Sequence, residues 1–115
     1  MSQILLVPNF MKQISAYTKR FPHIEDDVIT MLEGFQPEHS QSIVFGLFKE
    51  RMKSSDLQKG KSGGFRAILY FIKNMDLLIP VALYFKSDKE NVSKVYIKEQ
   101  FRITVEESEK IVEKW

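Results

Sequence analysis

The chain contains no cysteine, and this absence removes more chemistry than any other feature of its composition. Disulfide frameworks, thiolate nucleophiles, zinc ribbons and iron–sulfur clusters all require the missing side chain, and a cysteine-free chain suits a reducing compartment. Histidine is scarce as well. His23 and His39 lie in separate polar stretches, which argues against a histidine metal site. No apolar run approaches the roughly 18 residues of a membrane span. The segment from Met1 to Val7 lacks the basic start and small-residue cleavage site of a signal peptide. What is present is ordinary globular material: 115 residues, 43% hydrophobic and 28% charged. The expectation is one domain over residues 1–115, soluble and cytoplasmic, with no cofactor and no membrane contact.

The net charge of +2 conceals an uneven distribution. Residues 41–66 carry Lys49, Arg51, Lys53, Lys59, Lys61 and Arg66 against only Glu50 and Asp56, whereas both ends of the chain are acidic. A local excess of fixed cations attracts polyanions, and nucleic acid is the first candidate. Surface lysines also serve simply to solubilise strand edges, so charge alone does not decide.

Hydrophobic spacing divides the chain into elements. Gln3 to Val7 reads as a short strand or a lead-in, and Asn9 as the N-cap of a helix over Phe10 to Arg20 with Phe10, Ile14 and Tyr17 on one face. A second helix is expected over Ile24 to Glu33, burying Ile24, Val28, Ile29 and Leu32 and ending at Gly34. Strand formers begin at Ile43, and the alternation of Lys49, Arg51 and Lys53 predicts one basic strand face. A glycine-rich loop over 54–64 precedes a strand from Phe65 to Lys73. A turn at 74–76 then leads into an apolar strand from Leu77 to Phe85, in which Pro80 requires a bulge or an unpaired edge. Ser93 caps a helix from Lys94 towards Arg102, and Thr104 with Glu107 forms a capping-box pattern for a further helix. The expected fold class is α+β: two N-terminal helices, an antiparallel sheet of three to four strands, and one or two C-terminal helices.

The most informative segment runs from Lys59 through Gly60, Lys61, Gly63, Gly64 and Arg66 to Tyr70. It is not a phosphate-binding P-loop, because its Gly-Gly pair follows the lysine and enters a strand rather than a helix. Antiparallel pairing through the turn at 74–76 instead brings Arg66 and Tyr84 to one end of a hairpin, with Lys86 just beyond. Fixed cations converging there suit a phosphodiester transition state, where charge develops on nonbridging oxygens. A nucleic-acid clamp without chemistry would look the same.

Lys61-Ser-Gly-Gly-Phe-Arg66 followed by Ala-Ile-Leu-Tyr-Phe resembles the Lys-x-Gly-Gly-x-Arg-hydrophobic-Tyr segment of the HigB/RelE-type toxins of bacterial type II toxin–antitoxin systems, within the RelE/ParE superfamily. Ala82-Leu-Tyr-Phe-Lys-Ser-Asp-Lys-Glu-Asn91 is similar to their second signature, and Arg51-Met-Lys53 matches a basic-x-basic strand end. The resemblance covers about residues 43–100. It implies a microbial RNase-like fold and metal-independent cleavage of mRNA, generally on the translating ribosome, by attack of the RNA's own 2′-hydroxyl. Matched by position, Lys61, Arg66 and Lys86 would be catalytic, with Arg66 clamping the scissile phosphate. Arg51, Lys53, Lys59 and Tyr84 would bind RNA.

The implied partner is a cognate antitoxin, often one carrying a helix-turn-helix domain. Ser87 and Ser93 depart from the pattern, standing where RelE-type toxins carry an arginine and a tyrosine, and Tyr96 comes three residues late. This leaves the group that protonates the leaving oxygen unassigned. Two other readings remain open: a non-catalytic ParE-type toxin binding gyrase, and a degenerate relative that holds nucleic acid without cutting it.

Overall fold

The computed structural model describes residues 2–57, 64–88 and 92–114. Five strands form one mixed sheet in the order β1-β5-β4-β3-β2, with three α-helices packed around it. The strands are β1 (Gln3–Ile4), β2 (Gln41–Val44), β3 (Leu47–Met52), β4 (Phe65–Ile72) and β5 (Leu77–Phe85). The helices are α1 (Pro8–Tyr17), α2 (Ile24–Glu33) and α3 (Lys94–Val112). No helix among the described residues is long and apolar enough to cross a membrane.

The sheet alternates its side chains between two differently covered faces. Phe65, Ala67 and Leu69 of β4 point with Leu83 and Phe85 of β5 into the main core, where α1 contributes Phe10 and Ile14 and α2 contributes Val28 and Leu32. At one end Tyr17, Phe21, Phe65 and Phe85 stack with centroids 4.9–6.3 Å apart. The opposite face, with Ile68, Val81 and Ala82, lies under Tyr96, Ile97 and Phe101 of α3.

Several expectations hold and several are corrected. Helix α2 spans the expected residues, but its buried stripe is Ile24, Val28, Met31 and Leu32. Ile29 is 48% exposed, because positions 24, 28, 31 and 32 already complete one helical face. Helix α1 starts at Pro8, with Val7 rather than Asn9 at the N-cap, the usual place for a proline whose missing N–H would be unpaired anyway.

The run from Ile43 is not one strand. Gly46, at φ +77°, turns it into the β2–β3 hairpin, and a Cβ there would meet the Tyr70 ring at 3.1 Å. The sheet is also not wholly antiparallel: β1 lies parallel to β5, pairing Gln3 with Leu77 and Ile4 with Leu78. Of the one or two helices expected at the C-terminus, the structure has one, α3, which runs through the capping pattern at Thr104. Thr104 is buried and its hydroxyl donates to the Gln100 carbonyl, while Glu107 accepts from the Asn9 backbone N–H at 2.8 Å. The capping carboxylate therefore serves the start of α1, not a helix of its own.

The Pro80 expectation is met by a bulge. Ile68 pairs with Ala82 and Leu69 with Pro80, so Val81 is the extra residue. Beyond the two residues paired with β1, the outer edge of β5 is closed by side chains of α1. Gln13 Nε2 donates to the Val81 carbonyl at 3.1 Å, and Gln13 Oε1 accepts from the Leu83 N–H at 2.9 Å. The Tyr17 hydroxyl accepts from the Phe85 N–H at 3.2 Å. A carboxamide presents one donor and one acceptor, so Gln13 substitutes for a residue of a neighbouring strand.

Candidate nucleic-acid interface

Strand register builds the cationic row. Arg51 of β3 pairs directly with Arg66 of β4, and Arg66 pairs directly with Tyr84 of β5. Directly opposed residues project from the same face with Cβ atoms about 4.5–5.5 Å apart, so these three side chains leave the sheet together. Lys49, opposite Ile68, shares that face by the strand period. Two arginines directly opposed repel one another, which makes the row a place where an anion is favourable.

The loop entering β4 explains why glycine is needed beside this row. Gly64 has φ +81°, and a Cβ on it would come within 3.0 Å of the Met52 carbonyl. Its own carbonyl accepts from the Lys86 N–H at 2.9 Å, so the end of β5 and the start of β4 are fastened at the position that precedes Phe65 and Arg66. Lys86 is thereby held at the same end of the hairpin, two residues past Tyr84.

The other sequence-derived residues are distributed as follows. Lys53 lies just past β3, exposed, and with Arg51 lines a hollow of about 590 Å³ that also touches Asp27, Thr30 and Ser55. Arg66 is only 8% exposed, with Nη1 donating to the Phe65 carbonyl at 3.1 Å. Tyr84 is 1% exposed, so its ring offers no face to an incoming base in this conformation. Its hydroxyl is a buried polar atom with no hydrogen-bond partner among the described residues. Lys59 and Lys61 lie outside the described residues.

Sequence reasoning overlooked a third arginine at this end. Arg20, following α1, sits 5.2 Å from the centroids of Phe21 and Phe85 and pairs with Asp88 at 2.8 Å. No local spacing could reveal it, because its partner is 68 residues away. Tyr96, in the first turn of α3, is half-buried over the same sheet face. Burial, and secondarily the nearby Tyr17 phenol, push its hydroxyl above its ordinary pKa, which keeps it a proton donor at neutral pH.

The loop before β4 is tied down at its start by two carboxylates in reciprocal positions. Asp56 accepts from the His23 backbone N–H at 2.9 Å and contacts the His23 ring Nδ1 at 2.6 Å. Asp27 accepts from the Ser55 backbone N–H at 2.9 Å and from its hydroxyl. The hydrogen bond to Asp56 is the largest cause raising the His23 pKa, and Asp56 is lowered by the same contact.

No protein-family model matches this sequence, and no curated protein matches it. Among solved structures the chain is similar to the isolated E. coli RelE toxin, with 13% sequence identity and a TM-score of 0.52. The match covers 90% of this chain and 99% of that one. The chain therefore has a RelE-like α+β fold, with three helices on a five-stranded mixed sheet.

Proposed function

We propose that this protein is the toxin of a toxin–antitoxin pair: a metal-independent endoribonuclease that cuts mRNA, with the ribosome as its setting and a cognate antitoxin as its partner. The observation that carries the reading is the registered row Arg51–Arg66–Tyr84, with Lys86 fastened at the same end of the hairpin, on a RelE-like fold. In this reading the 2′-hydroxyl of the RNA attacks the adjacent phosphorus, the bond to the 5′-oxygen of the next nucleotide breaks, and a 2′,3′-cyclic phosphate and a 5′-hydroxyl remain. Arg66 and Lys86 balance the charge that grows on the nonbridging oxygens. Arg51, Lys53 and Lys59 would hold flanking phosphates, Lys61 would take the 2′-hydroxyl proton, and the Tyr96 phenol, over the same sheet face as Arg66, would protonate the leaving oxygen. The assignment to the HigB branch rests on the Lys61-to-Arg66 segment.

The test is induced expression in bacteria followed by primer extension on several messages, for wild type, Arg66→Ala and Lys86→Ala. Because Arg66 is buried, Lys86→Ala guards against loss of activity through misfolding, and circular dichroism checks both variants. Translation-dependent cuts in the wild type that disappear in both folded variants support the reading. Growth arrest with intact messages overturns the ribonuclease assignment. A second reading, binding without cleavage, whether to gyrase or to nucleic acid, is favoured by the burial of Tyr84. It predicts RNA or target binding with no new message ends.

A further inference from the structure

The β4–β5 hairpin has a second end, about 20 Å from Arg66 at six residues of strand rise, and a cleft opens there that the cationic row does not use. The first half of α3 packs on the sheet through Tyr96, Ile97 and Phe101, whereas its last turns, held to the main core by Ile111, leave a gap above the far end of the hairpin. The gap has a volume of about 440 Å³. Its floor is Ile72, Leu77 and Ile79 of the hairpin, and its wall is Val105 and Val112 of α3. Ser108 also faces it, but its hydroxyl donates back to the Thr104 carbonyl at 2.7 Å and so presents carbon to the cleft. Met75 and Val112 on the margins are 50% and 40% exposed.

The rim bears charge of one sign. Glu109 and Glu113 line the cleft one helical turn apart, both exposed. Among the described residues neither enters an ion pair, although Glu99 and Glu106 on the same helix are both tied to Arg102. An apolar trough with carboxylates left open along one side is complementary to a helix that carries an apolar stripe flanked by cations.

We propose that this cleft docks a basic amphipathic helix of a partner protein. Its apolar residues, spaced three and four apart, enter between Ile79 and Val105, and lysines or arginines one turn apart meet Glu109 and Glu113. The site lies at the opposite end of the hairpin from Arg66 and Lys86, so the partner binds without covering the cationic row.

The experiment uses the whole chain and a fluorescent synthetic helix of about four turns with a leucine stripe and lysine flanks. Two control peptides accompany it: the same composition scrambled, and the same stripe with glutamate flanks. Binding is followed by anisotropy, and the binding site by methyl NMR shifts. The expected result is saturable binding of the first peptide, at least about tenfold weaker binding of both controls, and a similar loss with the protein variant Glu109→Lys/Glu113→Lys. The shifts are expected at the Ile72, Leu77, Ile79 and Val105 methyls. Failure of the first peptide to bind, equal binding of the scrambled peptide, unchanged affinity of the charge-reversed variant, or shifts centred elsewhere would each overturn the proposal. Both substituted glutamates are exposed and enter no ion pair among the described residues, so the variant is expected to fold as the wild type does.

Discussion

Arg51 and Arg66 stand directly across a strand pair and share a face, an arrangement that costs stability unless negative charge lies between them. A site of this kind trades stability for affinity. Removing the more exposed member separates the two effects. Arg51 is exposed, so Arg51→Ala is expected to change the melting temperature of the protein alone by no more than the roughly 4–8 °C that about 1 kcal/mol shifts a domain of this size. The same variant is expected to weaken binding to a single-stranded oligonucleotide and to lower the slope of log K against log salt by about 0.7, one phosphate contact. Calorimetry and a salt titration read the two quantities separately. A variant that lost stability and kept its salt slope would show that Arg51 packs rather than binds.

At the scale of elements, the middle of the outer edge of β5, between β1 and the Tyr17 hydroxyl, depends on one carboxamide. Gln13→Leu keeps the bulk and helix propensity but leaves the Leu83 N–H and Val81 carbonyl without their partner. The expected loss is about 1–3 kcal/mol, read as a lowered urea midpoint. This contact also marks what could be read from sequence and what could not. Helix α2, the hairpin of β4 and β5 and the bulge at Pro80 follow from local spacing and from the chemistry of one residue. The convergence of Arg66 with Tyr84 follows from the hairpin register. Gln13, Arg20 and Glu107 could not be found this way, because each acts on a backbone or charge 68 to 98 residues distant. Thr104 and Glu107 carry a capping signature that is locally sound, but α3 runs through it: the Thr104 hydroxyl bonds back to the Gln100 carbonyl within the helix, and Glu107 is claimed by Asn9 of α1. Gly46, a glycine interrupting a run of strand formers, is a legible turn signal within the stretch from Ile43.

For the molecule as a whole, the clamp between α2 and the loop before β4 makes stability depend on pH. The folded His23 has a pKa above its ordinary 6.5, so its contribution is complete below that value and is lost as pH rises through the raised pKa. Asp56 has a folded pKa below its ordinary 3.8, so its contribution is present above that value and is lost as pH falls through the lowered one. Asp26 and Asp27 face the same imidazole and act in the same direction. Wild type is therefore expected to exceed His23→Gln in unfolding midpoint at pH 5–6, with the gap closing as the pH rises through the raised pKa of His23. A gap that stayed constant across this range would mean that the ring contributes packing and not charge.

The contact between Glu107 and Asn9 also sets an order of events during synthesis. The first turn of α1 receives its carboxylate only when residue 107 has been made, 98 residues later, and the Gln100 side chain that holds Asn9 at 2.7 Å arrives almost as late. At about 5–20 residues per second, the nascent chain spends roughly 5–20 s with its N-terminal helix unanchored. Its fold closes only once α3 has left the ribosome, so any activity is withheld until residues 94–112 are free to pack against α1.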